Sequence, residues 1–333
     1  MKARLTALIA GFLLVVGCNQ ETLQKPTPVE IVFSVLGDET RLTNPEGETA
    51  IHNWTLLLYQ DGKLVDAGAS DYGTPIKKTL LEGTYTAFAV VNPPGDFKPE
   101  SYSTILDLEQ EHADLGDNAP GQLMMIGSRI VSVPSNETQL INVNRLVCKV
   151  RIRKISVHFD NPALANKSFI LKGLFLTNCY GWSRLGSDWD ASELRSDVSL
   201  WYNRMAFNSN EDVNNLLSEM DINASVTIDN PHTQEHHFYF FPNPLPENLD
   251  THNKTWTRRR TRLVLETVMG NRTWYYSVTL PSSIRNRTYV IEEAIIREPG
   301  SLDPEQDMPG AIDFIFSTAT EDWSPAFSVN ENT

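Results

Sequence analysis

The sequence predicts a mainly β protein built as two β-sandwich domains in tandem, with a few short helices. Three observations lead there. Short runs rich in Val, Ile, Leu, Phe and Tyr recur along the chain, each closed by turn residues, with Val29–Leu36 the clearest. The chain has 333 residues, too many for one typical domain, and its 41% hydrophobic and 9% aromatic content supplies material for two cores. Neither an internal repeat nor a low-complexity tract interrupts the pattern.

The N-terminus reads as an export signal. Lys2 and Arg4 are followed by an apolar run over residues 5–16, broken only by Thr6 and Gly11. A bilayer span takes about 20 apolar residues, so the run is a secretory leader and not a membrane helix. It ends in Val15, Val16, Gly17 and Cys18, a bacterial lipobox. Residues 1–17 are therefore expected to be removed and Cys18 to carry lipid: a diacylglyceryl group on the thiol and a further acyl chain, such as palmitate, on the amine. Several chains together give the stable anchoring that one cannot. Residues 18–28, polar and punctuated by Pro26 and Pro28, read as a tether to the cell outer membrane.

The formal net charge is −14, and removal of Lys2 and Arg4 with the leader makes it more negative. Such a chain lacks the basic face that nucleic acid requires. Besides Cys18 there are Cys148 and Cys179, both in apolar strand-like runs. They read as small buried hydrophobes, with a single bridge as the alternative outside the cytoplasm.

In order along the chain, Val29, Ile31, Phe33 and Val35 share one face of the first strand. A polar stretch containing Arg41 follows. Residues 51–59 read as a strand, Gln60, Asp61, Gly62 and Lys63 as a hairpin turn, and Leu64 and Val65 as the return. Residues 87–91 form a strand ended by Asn92, Pro93, Pro94 and Gly95. A short helix is expected within 101–115. Residues 140–159 read as one long strand region, with Leu146, Cys148, Val150 and Ile152 facing a core and Lys149, Arg151 and Arg153 facing water. The domain boundary is placed near 160, giving an N-terminal domain over 29–160 and a C-terminal domain over 161–333. The latter opens with a strand at 169–176 and has a helix expected over 212–220. Later strands are expected at 224–228, 238–241, 263–268, 274–280, 289–297, 311–316 and 326–329.

No catalytic constellation emerges. Gly-rich phosphate loops, HExxH helices and nucleophile elbows are all missing from the sequence. His232, His236 and His237 form the one histidine cluster, but the segment runs into the strand-like Phe238, Tyr239, Phe240 and Phe241 and brings no third ligand. Asp188 and Asp190 open like a calcium loop, but Ser192 and Glu193 break the pattern. Arg258, Arg259, Arg260 and Arg262 read as a solvated strand edge. The expectation is a protein that is not an enzyme, with no metal and no cofactor.

Several stretches together resemble the fimbrillin family, the type V pilus subunits of anaerobic Gram-negative bacteria. They are the lipobox at Cys18; the 29–36 strand with Arg41 and then Glu48, Thr49, Ala50 and Ile51; residues 56–63; and residues 144–152. In the second half they are residues 238–243, 262–266 and 275–281, then Arg285, Asn286 and Tyr289, and residues 300–304. Their order along nearly the whole chain carries the resemblance.

The resemblance implies two transthyretin-like β-sandwich domains and export as a lipoprotein. It implies a cut by an Arg-specific protease after the first strand, for which Arg41 is the candidate. The displaced strand would present Val29, Ile31, Phe33 and Val35. The C-terminal segment of the next subunit, with Ile312, Phe314 and Phe316 on one face, would fill the vacated groove. Adding a strand from another chain satisfies both apolar surface and open ladder groups. Because donor and acceptor differ, the contact is head-to-tail and gives an open filament. The strand is accordingly expected at a sheet margin, where it can be withdrawn. The implied function is a structural pilus subunit at the cell surface with a role in adhesion. Its partners are other pilus subunits, the outer membrane through Cys18, and a host or bacterial surface ligand. The alternatives are an anchor subunit that keeps its lipid, and a lipid-anchored glycan-binding protein using Trp54, Trp182, Trp189, Trp201 and Trp256.

Overall fold

The computed structural model describes residues 28–36, 48, 50–165, 167–204, 216–246, 257–306, 308–317 and 321–322. Cys18, Arg41, Trp256 and the expected strand at 326–329 lie outside the described residues.

The chain is mainly β. Its first part contributes β1 (Val29–Leu36), β2 (Asn53–Gln60), β3 (Lys63–Asp71), β4 (Ile76–Leu80), β5 (Gly83–Val91), helix α1 (Ile105–Gln110), β6 (His112–Asp114), β7 (Met125–Val133), β8 (Gln139–Asn142) and β9 (Asn144–Arg145). These build a five-stranded sheet in the order β3-β2-β5-β7-β9 and a three-stranded sheet in the order β4-β1-β8. Asp61 and Gly62 both take positive φ, at 51° and 76°, in the β2–β3 hairpin. That is the two-residue turn whose twist matches the flanking strands. α1 begins at Thr104, whose hydroxyl accepts from the Asp107 amide while the Asp107 carboxylate accepts from the Thr104 amide, a capping box.

Both faces of the larger sheet are covered. Leu56, Leu58, Ala87, Ala89 and Val91 face the three-stranded sheet. Leu57, Tyr59, Phe88 and Val90 face the other way, toward Leu108, Leu115 and Leu123. Double coverage is why β2 and β5 read as continuous apolar runs and not as alternating ones.

The second part contributes β10 (Cys148–Ile152), β11 (Ile155–Val157), β12 (Phe169–Thr177), β13 (Cys179–Tyr180), β14 (Trp182–Arg184), β15 (Trp201–Tyr202), β16 (Ser218–Glu219), β17 (Ala224–Ser225), β18 (His236–Phe240), β19 (Arg262–Met269), β20 (Arg272–Thr279), β21 (Arg287–Ile296), β22 (Ile312–Phe316) and β23 (Glu321–Asp322). One sheet runs β11-β21-β10-β18, with β22 and β23 also on β21; the other runs β16-β12-β19-β20, with β17 on β12.

The long strand expected over 140–159 is divided among β8, β9, β10 and β11, which serve three different sheets. A strand this long cannot stay flat, and breaks after Asn142, Arg145 and Ile152 let the chain change sheets. β10 and β11 pair with β18 and β21, strands from later in the chain. Strand pairing thus joins residues 148–157 to the later sheet. Cys148, Val150 and Ile152 are buried as their alternation indicates, but Lys149 is buried too, at 7% exposure, against Glu48. Of the helix expected over 212–220, the described end is strand: Ser218 and Glu219 pair with Phe175 and Leu174. Cys148 and Cys179 are buried free thiols, so no bridge joins them.

Candidate functional site

The site is the berth of β1. Along β1, Ile31 and Phe33 are fully buried and Val35 nearly so. They lie in one apolar cluster with Trp54, Leu56, Leu58, Ala87, Ala89, Val131 and Ile141. Ala87 and Ala89 lie opposite Leu58 and Leu56 across the β2–β5 pair. Small residues at the centre of that sheet make room for large side chains inserted from β1.

The sequence reading placed β1 at a sheet margin; the structure places it between two strands. β4 runs antiparallel to residues Val29–Phe33, and β8 runs parallel to Phe33–Leu36. The two registers overlap at Phe33. Parallel pairing with a strand more than a hundred residues later leaves no local signal in a sequence, which is why the margin expectation failed. The berth is also held by Gly127 on β7. A Cβ there would lie 1.8 Å from the Asn142 carbonyl oxygen, so only glycine lets the chain cross from β8 to β9 so close to β7. β1 is the first strand among the described residues.

Further along the chain from β1, Glu48 is bolted to strands of the second half. Its carboxylate accepts from Lys149 Nζ at 2.7 Å and from the Tyr239 hydroxyl at 2.6 Å, and its carbonyl accepts from Arg145 Nε at 2.9 Å. Lys149 and Tyr239 are register partners on β10 and β18. Burial lowers the Lys149 pKa and raises that of Tyr239; the hydrogen bond to Glu48 opposes the first shift and adds to the second. Arg145 Nη1 also donates to Asn286 Oδ1. Sequence reading found Glu48 only as part of a stretch resembling a family and missed its partners, which lie about one hundred and two hundred positions away.

At the other end of the chain, β22 pairs antiparallel with β21. Ile312, Phe314 and Phe316 pack, partly buried, on the second-half core, while Ile315 on the opposite face is 45% exposed. The displaced-strand and donor-strand candidates therefore sit in different sheets of the same chain, each with its apolar face inward.

The remaining candidates resolve into structural roles. Arg258 donates to the Leu194 and Ala191 carbonyls, and Arg260 to the Leu245 carbonyl. Arg259 and Arg262 are buried against Glu305. The basic run is thus internal wiring and not the solvated edge expected. Asp188 pairs with Arg285, and Asp190 accepts from the Ser192 amide and hydroxyl. Trp54, Trp189 and Trp201 are buried, and Trp182 is half-buried and stacked on His112.

No family model and no curated protein matches the chain by sequence. Solved structures do match it in shape. A candidate cell adhesion protein from Bacteroides eggerthii aligns at 16% identity and TM-score 0.64, covering 90% of this chain and 97% of that one. A second, from Parabacteroides distasonis, aligns at 15% identity and TM-score 0.61, covering 90% of this chain and 100% of that one. A fimbrilin from Porphyromonas gingivalis aligns at 12% identity and TM-score 0.52, covering 87% of this chain and 96% of that one. Alignment over nearly the full length of each shows that this chain has the fold of the fimbrillins.

Proposed function

We propose that the protein is a structural subunit of a cell-surface pilus, exported as a lipoprotein anchored through Cys18 and assembled by strand exchange. The observation that carries this reading is β1: a leading strand whose Ile31, Phe33 and Val35 fill a core, held between two strand edges that its departure would leave open. Cleavage at Arg41 would free β1 together with the lipid. The groove left behind would expose apolar surface and unpaired backbone groups at once, a combination that a strand from another chain relieves.

The trailing segment is the donor of matching chemistry. Ile312, Phe314 and Phe316 repeat the every-second-residue spacing of Ile31, Phe33 and Val35. β22 lies on β21 at a sheet edge, where detachment breaks one ladder. A donor in one half and an acceptor in the other give a head-to-tail contact that repeats indefinitely. The fold shared with candidate adhesion proteins and a fimbrilin supports a place in the fimbrium at the outer surface.

The test is treatment of purified chain lacking the leader with an Arg-specific protease. A single early cut after Arg41 followed by slow growth of a ladder of oligomers is expected, and deletion of 311–333 should abolish the ladder while circular dichroism stays β-rich. Cut protein that remains monomeric at high concentration would refute strand exchange.

A further inference from the structure

One strand edge in the second half is covered by a loop and not by a strand. β10 has β18 beside it, with Ile152 opposite His236. β11 follows β10 and pairs with β21. Its other edge is capped by the segment that leads into β18. The His232 amide donates to the Ile155 carbonyl at 2.8 Å, and the Ile155 amide donates to the His232 carbonyl at 2.9 Å. An open edge is a template for pairing with other chains, and this cap closes it.

Two imidazoles and a carboxylate fasten the cap. His236 is on β18 and its side chain is fully buried. Its Nδ1 donates at 2.7 Å to Glu219, on β16 of the facing sheet. Nε2 of His236 lies 2.7 Å from Nε2 of His232. A carboxylate only accepts, so neutral His236 holds its proton on Nδ1 and accepts from His232 on Nε2. One added proton keeps both bonds: His236 donates from both nitrogens, to Glu219 and to His232, whose own proton then sits on Nδ1. A second added proton turns N–H against N–H, and the ring-to-ring bond is lost. We propose that the His232–His236 pair is an acid-sensitive fastener, which holds the segment before β18 over the edge of β11 and lets go when both rings are protonated.

The surroundings isolate the pair from other charges. Burial and the neighbouring His236 lower the His232 pKa from its ordinary 6.5, and Glu219 opposes them. A folded-state value below the ordinary one gives stability that is complete above about pH 6.5 and is lost as pH falls through the folded value. Other charged groups on the adjoining strands have partners of their own. Glu235 faces Arg151 at 3.9 Å and Arg153 at 3.5 Å, and Lys154 pairs with Glu293 at 2.9 Å. His237, exposed, lies 4.0 Å from Glu48. His232 is half-buried and outside any strand, so its side chain can swing to water once the bond breaks. The fastener concerns the second half alone and does not depend on how the subunit assembles.

The experiment is amide hydrogen exchange on the intact mature chain between pH 7.5 and pH 5, with rates corrected for intrinsic exchange. Protection of the Ile155 and His232 amides should fall about tenfold for each pH unit below about 6, the dependence given by one proton more in the open state. Amides of β12 and β19 should hold their protection over the same range. His232→Asn keeps a hydrogen-bonding side chain with no proton to gain, and should flatten the profile. Glu219→Gln removes the charge that offsets the added protons, and should steepen it. His237→Asn should leave it unchanged. A flat profile in the unaltered protein, or an equally steep one in His232→Asn, would overturn the fastener.

Discussion

Ile31, Phe33 and Val35 in β1 and Ile312, Phe314 and Phe316 in β22 follow the same spacing, yet the fold treats them differently. The β1 residues are at most 6% exposed and close a core of their own. Those of β22 are only partly buried, packed against the larger core. β1 has strands on both edges, whereas β22 lies along β21. Under the proposed strand exchange, the difference separates two jobs. A strand that completes a core leaves a strong demand for replacement when it is removed. A strand that covers a rim is the cheaper one to detach, and so the better one to lend.

Truncations sharpen this contrast most. Phe33→Ala removes a fully buried ring at the point where both β1 registers meet, and should cost about 3–5 kcal/mol in chemical denaturation. Phe314→Ala, on a half-covered ring, should cost about 1–2 kcal/mol. Equal losses would erase the distinction between keystone and lid. Native-state hydrogen exchange offers an intermediate measure: β22 amides should exchange by local opening well before those of Ile31 and Phe33, and the reverse order would break the comparison. The smallest effect belongs to the surface pairs. Glu30–Lys77 fastens β1 to β4 at 3.2 Å, and Asp313–Arg297 fastens β22 to β21 at 2.9 Å. Both are substantially exposed, so double-mutant cycles should return about 0.2–1 kcal/mol each, falling with salt. A larger coupling for Asp313–Arg297 would mean that β22 is held more firmly than its burial indicates.

The strand-rich class, the β2–β3 hairpin and the apolar face of β1 were legible in the sequence because each rests on local chemistry. Alternation places Val29, Ile31, Phe33 and Val35 together whatever surrounds them. An Asp-Gly pair supplies positive φ by itself. Resemblance to a family, carried by the order of short stretches, pointed to a fold that full-length structural matches then showed.

Tertiary structure alone decided what those local pieces meet. β8 beside β1, Glu48 beneath Lys149 and Tyr239, Arg259 and Arg262 buried on Glu305, and His232 against His236 all depend on distant chain segments or on a bend with no periodic signature. Local propensity sets which face of a strand is apolar. Partner choice depends on the summed packing of two sheets and the breaks that let the chain pass between them, and no single window of sequence contains that sum.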